Sequence, residues 1–145
     1  MLEELKREIT KLGQEFKPQC SSASGRLAAK VDREDWLRFI EFAYRENTLA
    51  YTRLRCLTAA KRDEGGLEVV AELVSPYWPE ILSVRTLLDP GKALPSLLRL
   101  WPYADWLEWE MRDLFGVRIE GGLPDRPFLR SLSGPSPRSG KVGTQ

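Results

Sequence analysis

The side chains of this chain that could do chemistry are carboxylates and thiols. Glu108, Glu110 and Asp113 stand in the stretch WLEWEMRDLFG, residues 106–116. On a helix, Glu110 and Asp113 are three apart and share a face, where a pair of carboxylates could hold a cation or exchange a proton. No histidine occurs anywhere in the 145 residues. That absence removes serine and cysteine triads with a histidine base, zinc sites of the His-Glu type and imidazole proton relays. Two carboxylates without a third ligand make a poor site, and a solvated acidic face accounts for them equally well. Cys20 and Cys56 stand apart instead of forming a CxxC pair, which fits two reduced, partly buried thiols better than a disulfide framework or a thiolate metal site. Neither GxxxxGK[ST] nor a strand-following GxGxxG is present, and the pairs Gly65-Gly66 and Gly121-Gly122 lack the helix that would hold a phosphate. No catalytic, cofactor-binding or metal-binding residue is therefore assigned, and no cofactor is expected.

The same stretch offers a different chemistry, that of contact. Three of the five tryptophans, Trp101, Trp106 and Trp109, crowd into nine residues with charges between them. Aromatic anchors flanked by charge are the usual composition of a protein-protein contact. Core packing of one or two of the three is the competing reading. Glu108 and Arg112 form an i,i+4 pair in the favourable order, worth ~0.3 kcal/mol on an exposed helix.

The elements that position these residues follow from apolar spacing. Leu2, Leu5, Ile9, Leu12 and Phe16 recur at threes and fours, which predicts an amphipathic helix over residues 2–16, ended by Pro18. Residues 25–31 read as a strand. Asp32 can cap the following helix, DREDWLRFIEFAYREN, whose buried face is Trp36, Leu37, Ile40, Ala43 and Tyr44. YTRLRCLTAA and LEVVAELV, joined by RDEGG, predict a hairpin with Leu67, Val69, Ala71 and Leu73 on one side. SVRTLL is a further strand, broken at Asp89-Pro90-Gly91. A helical stretch from about Pro95 to Phe115 follows. Its last regular segment begins near 103–106, with Asp105 and Glu108 in a capping arrangement and Gly116 at the left-handed position past its end. Leu107, Met111, Leu114 and Phe115 form its core-facing stripe. The predicted fold class is α+β: a mainly antiparallel sheet with helices packed on one face and an extended C-terminal arm. Residues 1–116 form the domain, 117–130 the arm and 131–145 a serine, proline and glycine tail expected to be flexible.

Composition sets the outer bounds. The chain is 42% hydrophobic and 30% charged, with 22 basic against 21 acidic residues and a formal net charge of +1. That is the composition of one globular domain, with no overall field for nucleic acid or anionic lipid. No apolar run approaches the ~18 residues of a membrane span, and the start alternates charge with leucine, unlike a signal peptide, so a cytoplasmic location is expected.

The segment from Ser83 to Arg130 resembles the signature region of the 30 kDa subunit family of respiratory-chain NADH dehydrogenase, or complex I, a family that also serves energy-converting nickel-iron hydrogenases. The family pattern is a proline-serine pair, Trp-Pro-x-Ala-x-Trp, then Glu-Arg-Glu-x-x-Asp-x-Phe-Gly-Val, then a Gly-His-Pro-Asp turn followed by arginines. Pro95, Ser96, Trp101, Pro102, Ala104, Trp106, Glu108, Glu110, Asp113, Phe115, Gly116 and Val117 match it. Trp109 replaces the arginine between the two glutamates. Gly121-Gly122-Leu123-Pro124-Asp125 replaces the histidine turn and is one residue longer. The chain also ends soon after that turn, as the hydrogenase-type members do.

The resemblance implies a non-catalytic scaffold subunit in the peripheral arm of a complex-I-like membrane-bound oxidoreductase, of NADH:quinone oxidoreductase or energy-converting hydrogenase type. Its partners would be a large catalytic subunit, with a quinone site or a nickel-iron centre, and an iron-sulfur subunit. It would lie on the cytoplasmic side of the membrane and touch the membrane only through the complex. The docking residues implied are Trp101, Trp106, Glu108, Trp109, Glu110, Arg112, Asp113, Phe115, Gly116, Asp125, Arg126 and Arg130. The alternative is an independent protein-binding module that uses the tryptophan-rich helix for an unrelated partner.

Overall fold

Leu27, Leu82, Leu73 and Leu54 lie side by side across four strands of one sheet, and all four are buried. The next row, Ala29, Val84, Ala71 and Leu57, repeats the arrangement two residues along three of the strands, as the period of a strand requires, and three along the fourth, where a bulge between Leu54 and Cys56 adds one. In this computed structural model, which describes residues 2–121, the elements run α1 (Leu2–Leu12), β1 (Gln19–Ala23), β2 (Arg26–Lys30), α2 (Trp36–Arg45), β3 (Arg53–Lys61), β4 (Leu67–Val74), β5 (Ile81–Leu88), β6 (Ala93–Pro95), α3 (Ala104–Phe115) and β7 (Arg118–Glu120). The five-stranded sheet has the order β1-β2-β5-β4-β3. Its pairs are antiparallel except β2 with β5, which are parallel. The fold is α+β with a mostly antiparallel sheet, as the patterning predicts. Its buried rows join Leu5 and Ile9 of α1, Trp36, Phe39 and Ile40 of α2, and Ala104 and Met111 of α3 in one core.

Several elements depart from the expectation. The first helix stops at Leu12, not at Phe16, and Gln14–Phe16 form a single 3-10 turn. Gly13 leaves the helical conformation, with φ −106° and ψ 28°, and a Cβ there would come within 2.9 Å of the Phe42 ring, so the chain passes α2 only as backbone. Phe16 still reaches the core and meets Phe39 edge-on at 5.5 Å. Strand β1 was not legible at all. Gln-Cys-Ser-Ser-Ala carries no apolar alternation because it is an edge strand, and its hairpin turns at Ser24 and Gly25, with φ of 50° and 74°. Asp32 makes no capping bond with its side chain, and the helix proper begins at Trp36. On α2, Leu37 and Tyr44 are only half-buried and Phe39 takes the inward place.

The stretch from Pro95 is not continuously helical. Ala93–Pro95 form a strand that pairs in parallel with Arg118–Glu120, so the first residues of the expected arm belong to the domain. A turn over residues 97–101 and then α3 lie between the two. Tyr103 occupies the N-cap of α3 without a capping bond from its side chain to the helix, and Asp105 falls in the first turn. Gly116 ends the helix at φ 69°, ψ 24°, the left-handed conformation expected of it.

Candidate functional site

Helix α3 presents its residues in two sets. Ala104, Glu108 and Met111, at spacings of four and three, face inward and are buried. Trp106, Glu110 and Leu114, at spacings of four, face outward and are exposed. Leu114 is 51% exposed, so the expected stripe of Leu107, Met111, Leu114 and Phe115 holds only in part: Met111 is in the core, with Leu107 and Phe115 packed partly against it. The helical period assigns faces relative to one another, but the packing of α3 against β3 decides which of them is inward.

The start of α3 is tied to the edge strand. The Tyr103 hydroxyl accepts from the Leu54 amide at 3.0 Å and donates to the Leu54 carbonyl at 3.0 Å. The register of β3 against β4 slips there, between Leu54 and Cys56, and the phenol satisfies backbone groups of the edge. Two residues upstream of Tyr103, the Trp101 indole N–H donates to the Thr52 carbonyl at 2.8 Å while its ring meets Tyr44 edge-on at 5.4 Å. At 4% exposure Trp101 is a core residue and cannot anchor a partner in this conformation. Sequence reasoning assigned no role to Tyr103 or Thr52, because nothing local marks a contact that spans 49 residues.

Glu108 is placed differently from expectation. It is 2% exposed, so it belongs to no surface pair with Arg112, although the Arg112 charge still acts on it. Its carboxylate accepts from the Ser96 hydroxyl at 2.7 Å and from the Leu97 amide at 2.7 Å. Ser96 Oγ in turn accepts from the Leu98 amide at 3.0 Å. Glu108 and Ser96 together cap the 97–101 turn, and the Ser96 amide reaches the Glu120 carbonyl of β7 at 2.8 Å. Burial raises the Glu108 carboxyl above the ordinary carboxylate value; the bonds from Leu97 and Ser96 and the Arg112 charge pull it back, and Asp105 pushes the same way as burial. The one available sequence signal was the serine of the proline-serine pair, which matches the family pattern without any mark of its partner.

Trp106 and Trp109 make the outer surface of the helix. Their ring centroids are 5.1 Å apart with an interplanar angle of 32°. Trp106 is 41% exposed, while Trp109 is half-buried and its indole N–H has no acceptor among the described residues. Tyr103, also exposed, stands one turn before Trp106, and Leu114 stands two turns after it. Glu110 lies on the same exposed surface, whereas Arg112, Asp113 and Phe115 are half-buried, and neither Arg112 nor Asp113 is without a partner. Gly116 is exposed at the helix end. Asp125, Arg126 and Arg130 lie outside the described residues, as do the greater part of the arm and the tail.

Among the described residues no three Cys, Asp or Glu side chains come together to hold a metal ion. Burial raises both thiols above their ordinary value, Cys56 with help from the Glu72 charge, which disfavours the thiolate a nucleophile needs. Among the described residues no helix is long and apolar enough to cross a membrane.

The model of the family described as respiratory-chain NADH dehydrogenase, 30 kDa subunit, matches residues 29–133. The chain is 31% identical over 111 residues to the C subunit of NADH-quinone oxidoreductase from Jannaschia sp. (strain CCS1), a match that covers 74% of this chain and 53% of that one. It is 28% identical over 107 residues to the C/D subunit of NADH-quinone oxidoreductase from Sulfurihydrogenibium sp. (strain YO3AOP1), covering 72% of this chain and 18% of the relative. The chain thus spans about half, or less, of the length of these curated relatives. Among solved structures, a chain of the membrane-bound sulfane sulfur reductase, an archaeal respiratory membrane complex, shares the fold with a TM-score of 0.74 at 23% identity, over 87% of this chain and 75% of that one.

Proposed function

Because the chain belongs to the respiratory-chain NADH dehydrogenase 30 kDa subunit family, we propose that it is a non-catalytic scaffold subunit of a complex-I-like membrane-bound oxidoreductase. In this reading it docks on the large catalytic subunit and fixes that subunit against an iron-sulfur neighbour, on the cytoplasmic side of the membrane. Electron transfer falls steeply with distance, so a rigid spacer that holds two redox-bearing subunits in register serves the reaction without touching a reacting atom.

The observation that carries the reading is the outer surface of α3. The Trp106-Trp109 pair, with Tyr103, Glu110 and Leu114 beside it, is aromatic and apolar at its centre and charged at its rim, which is the anatomy of a protein contact. The inner surface of the same helix is locked by Glu108 to the 97–101 turn, so the aromatic pair is offered on a preorganised element and little ordering entropy is lost on docking. Trp101 and Glu108 hold the helix in place; Trp106, Trp109 and Glu110 meet the partner. Arg112, Asp113, Phe115 and Gly116 border that contact, and in the same reading the charges of Asp125, Arg126 and Arg130 also bind the partner.

The test is an affinity isolation of the tagged chain from gently solubilised membranes of its own source, run beside Trp106→Ala. Recovery of a large redox subunit with iron-sulfur partners, reduced in the variant, supports the scaffold. Recovery of the wild-type chain alone, or with an unrelated protein, refutes it in favour of an independent binding module.

A further inference from the structure

The sheet has a second surface, opposite the one that packs on the helices. Its rows read Ser21, Ala28, Ser83 and Glu72 across β1, β2, β5 and β4, then Gln19, Lys30, Arg85 and Val70 two residues on. Arg26, two residues to the other side of Ala28, completes the pattern. Small side chains thus form the floor of a trough, and cationic side chains form its walls. The trough has a volume of about 540 Å³ and is lined by Ser21, Ala28 and Ser83 between Arg26 on one side and Lys30 and Arg85 on the other, with Glu68 the one acidic side chain in its lining.

Two observations indicate that something charged belongs in it. First, cations outnumber acids. Arg26 and Arg55 share the single carboxylate of Glu72, and Arg85 stands 3.8 Å from Glu68. Lys30 makes no ion pair among the described residues. Second, Ser83 is 1% exposed and its hydroxyl has no hydrogen-bond partner among the described residues. A buried hydroxyl without a partner is costly. Ser83 lines the trough, whose walls include the long side chains of Arg26 and Arg85, themselves 42% and 39% exposed.

We infer that this trough is a second docking surface, for an acidic segment of another protein that lays a carboxylate between Arg26, Lys30 and Arg85 and accepts a hydrogen bond from the Ser83 hydroxyl. The chain itself is a poor source of that segment. Beyond residue 121 it carries Arg126, Arg130, Arg138 and Lys141 against the single acid Asp125, which gives it the same sign as the trough. The proposal is independent of the tryptophan surface of α3, which is built from other elements.

The experiment is an amide-shift titration of the ¹⁵N-labelled full chain with a capped hexaglutamate peptide at low salt. Saturable shifts centred on Ser21, Ala28 and Ser83 are expected, suppressed by added salt and weakened by about fivefold or more in Lys30→Glu. Arg85→Gln should weaken binding in the same direction, with the amide spectrum of each variant reporting that it is folded. Trp106→Ala should bind the peptide as wild type does, so failure of the α3 reading would leave this result untouched. Shifts that map elsewhere, indifference to Lys30→Glu, equal shifts from inorganic phosphate, or the same shifts from self-association without peptide would each overturn the proposal.

Discussion

Ser96 and Glu108 are twelve residues apart in the chain, yet the Ser96 hydroxyl donates to the Glu108 carboxylate at 2.7 Å in the interior of the domain. With the Leu97 amide on the other carboxylate oxygen, this bond joins α3 to the turn that precedes it. Removing the carboxylate leaves two buried donors unpaired. Glu108→Ala is therefore expected to cost about 3 kcal/mol, a large share of the stability of a small domain. Denaturant unfolding of the isolated chain measures it; a loss below about 1 kcal/mol would mean that the two donors find other acceptors.

Burial holds the Glu108 carboxyl above its ordinary value of 4.5 against the bonds that lower it. The folded chain thus binds this proton more tightly than the unfolded chain does. The stability contributed by this group is fully present below the ordinary value and is lost as pH rises through the raised one. Unfolding of wild type and Glu108→Gln side by side should show the wild type losing ground as pH rises from about 4.5, since glutamine keeps the shape without the charge. A constant difference across that range would contradict the raised value.

Gly116 ends α3 at φ 69° with no atom near enough to touch an added Cβ. The cost of Gly116→Val is then backbone strain alone, about 1–2 kcal/mol, and asparagine should recover part of it. Thermal unfolding compares the three side chains, and the yield of assembled complex should follow the same order. Equal melting of glycine and valine forms would show that the helix end relaxes freely.

The tryptophans should separate by burial. Trp101→Ala removes a core ring and its bond to Thr52 and is expected to cost about 3–5 kcal/mol. Trp106→Ala and Glu110→Ala should leave the melting temperature of the isolated chain nearly unchanged and lower its association with the large subunit. A marked loss of monomer stability in Glu110→Ala would instead place that carboxylate in the domain's own framework.

Gly66 closes the turn between β3 and β4 at φ 78°, and a Cβ there would lie 2.4 Å from the Leu88 carbonyl oxygen of β5. Gly66→Ala must therefore separate β4 from β5 or distort both, at a cost of about 3 kcal/mol. Gly91→Ala, with a positive φ but open space around it, is the control and should cost less. Chemical denaturation of both variants decides, and the reverse order would refute the clash.

Local chemistry in the sequence determined the hairpin of β3 and β4, the apolar side of β4, the stop at Gly116 and the break at Asp89-Pro90-Gly91. Each depends on the period of a single element or on the φ that one turn residue can adopt, and none needs a distant partner. The family pattern from Pro95 to Val117 was likewise a property of the string. The tertiary structure alone decided what is inside. Trp101 and Trp106 have the same side chain and similar neighbours, but only Trp101 finds the Thr52 carbonyl and the Tyr44 ring. Glu108 and Glu110 are two residues apart, and a helix turns them to different sides, one against Ser96 and Leu97 and the other to solvent. The polar edge strand β1 and the parallel pairing of β2 with β5 were equally illegible, because both exist only through hydrogen bonds to another strand. Which side of each element is buried depends on where the whole chain brings its partners, and no window along the sequence contains them.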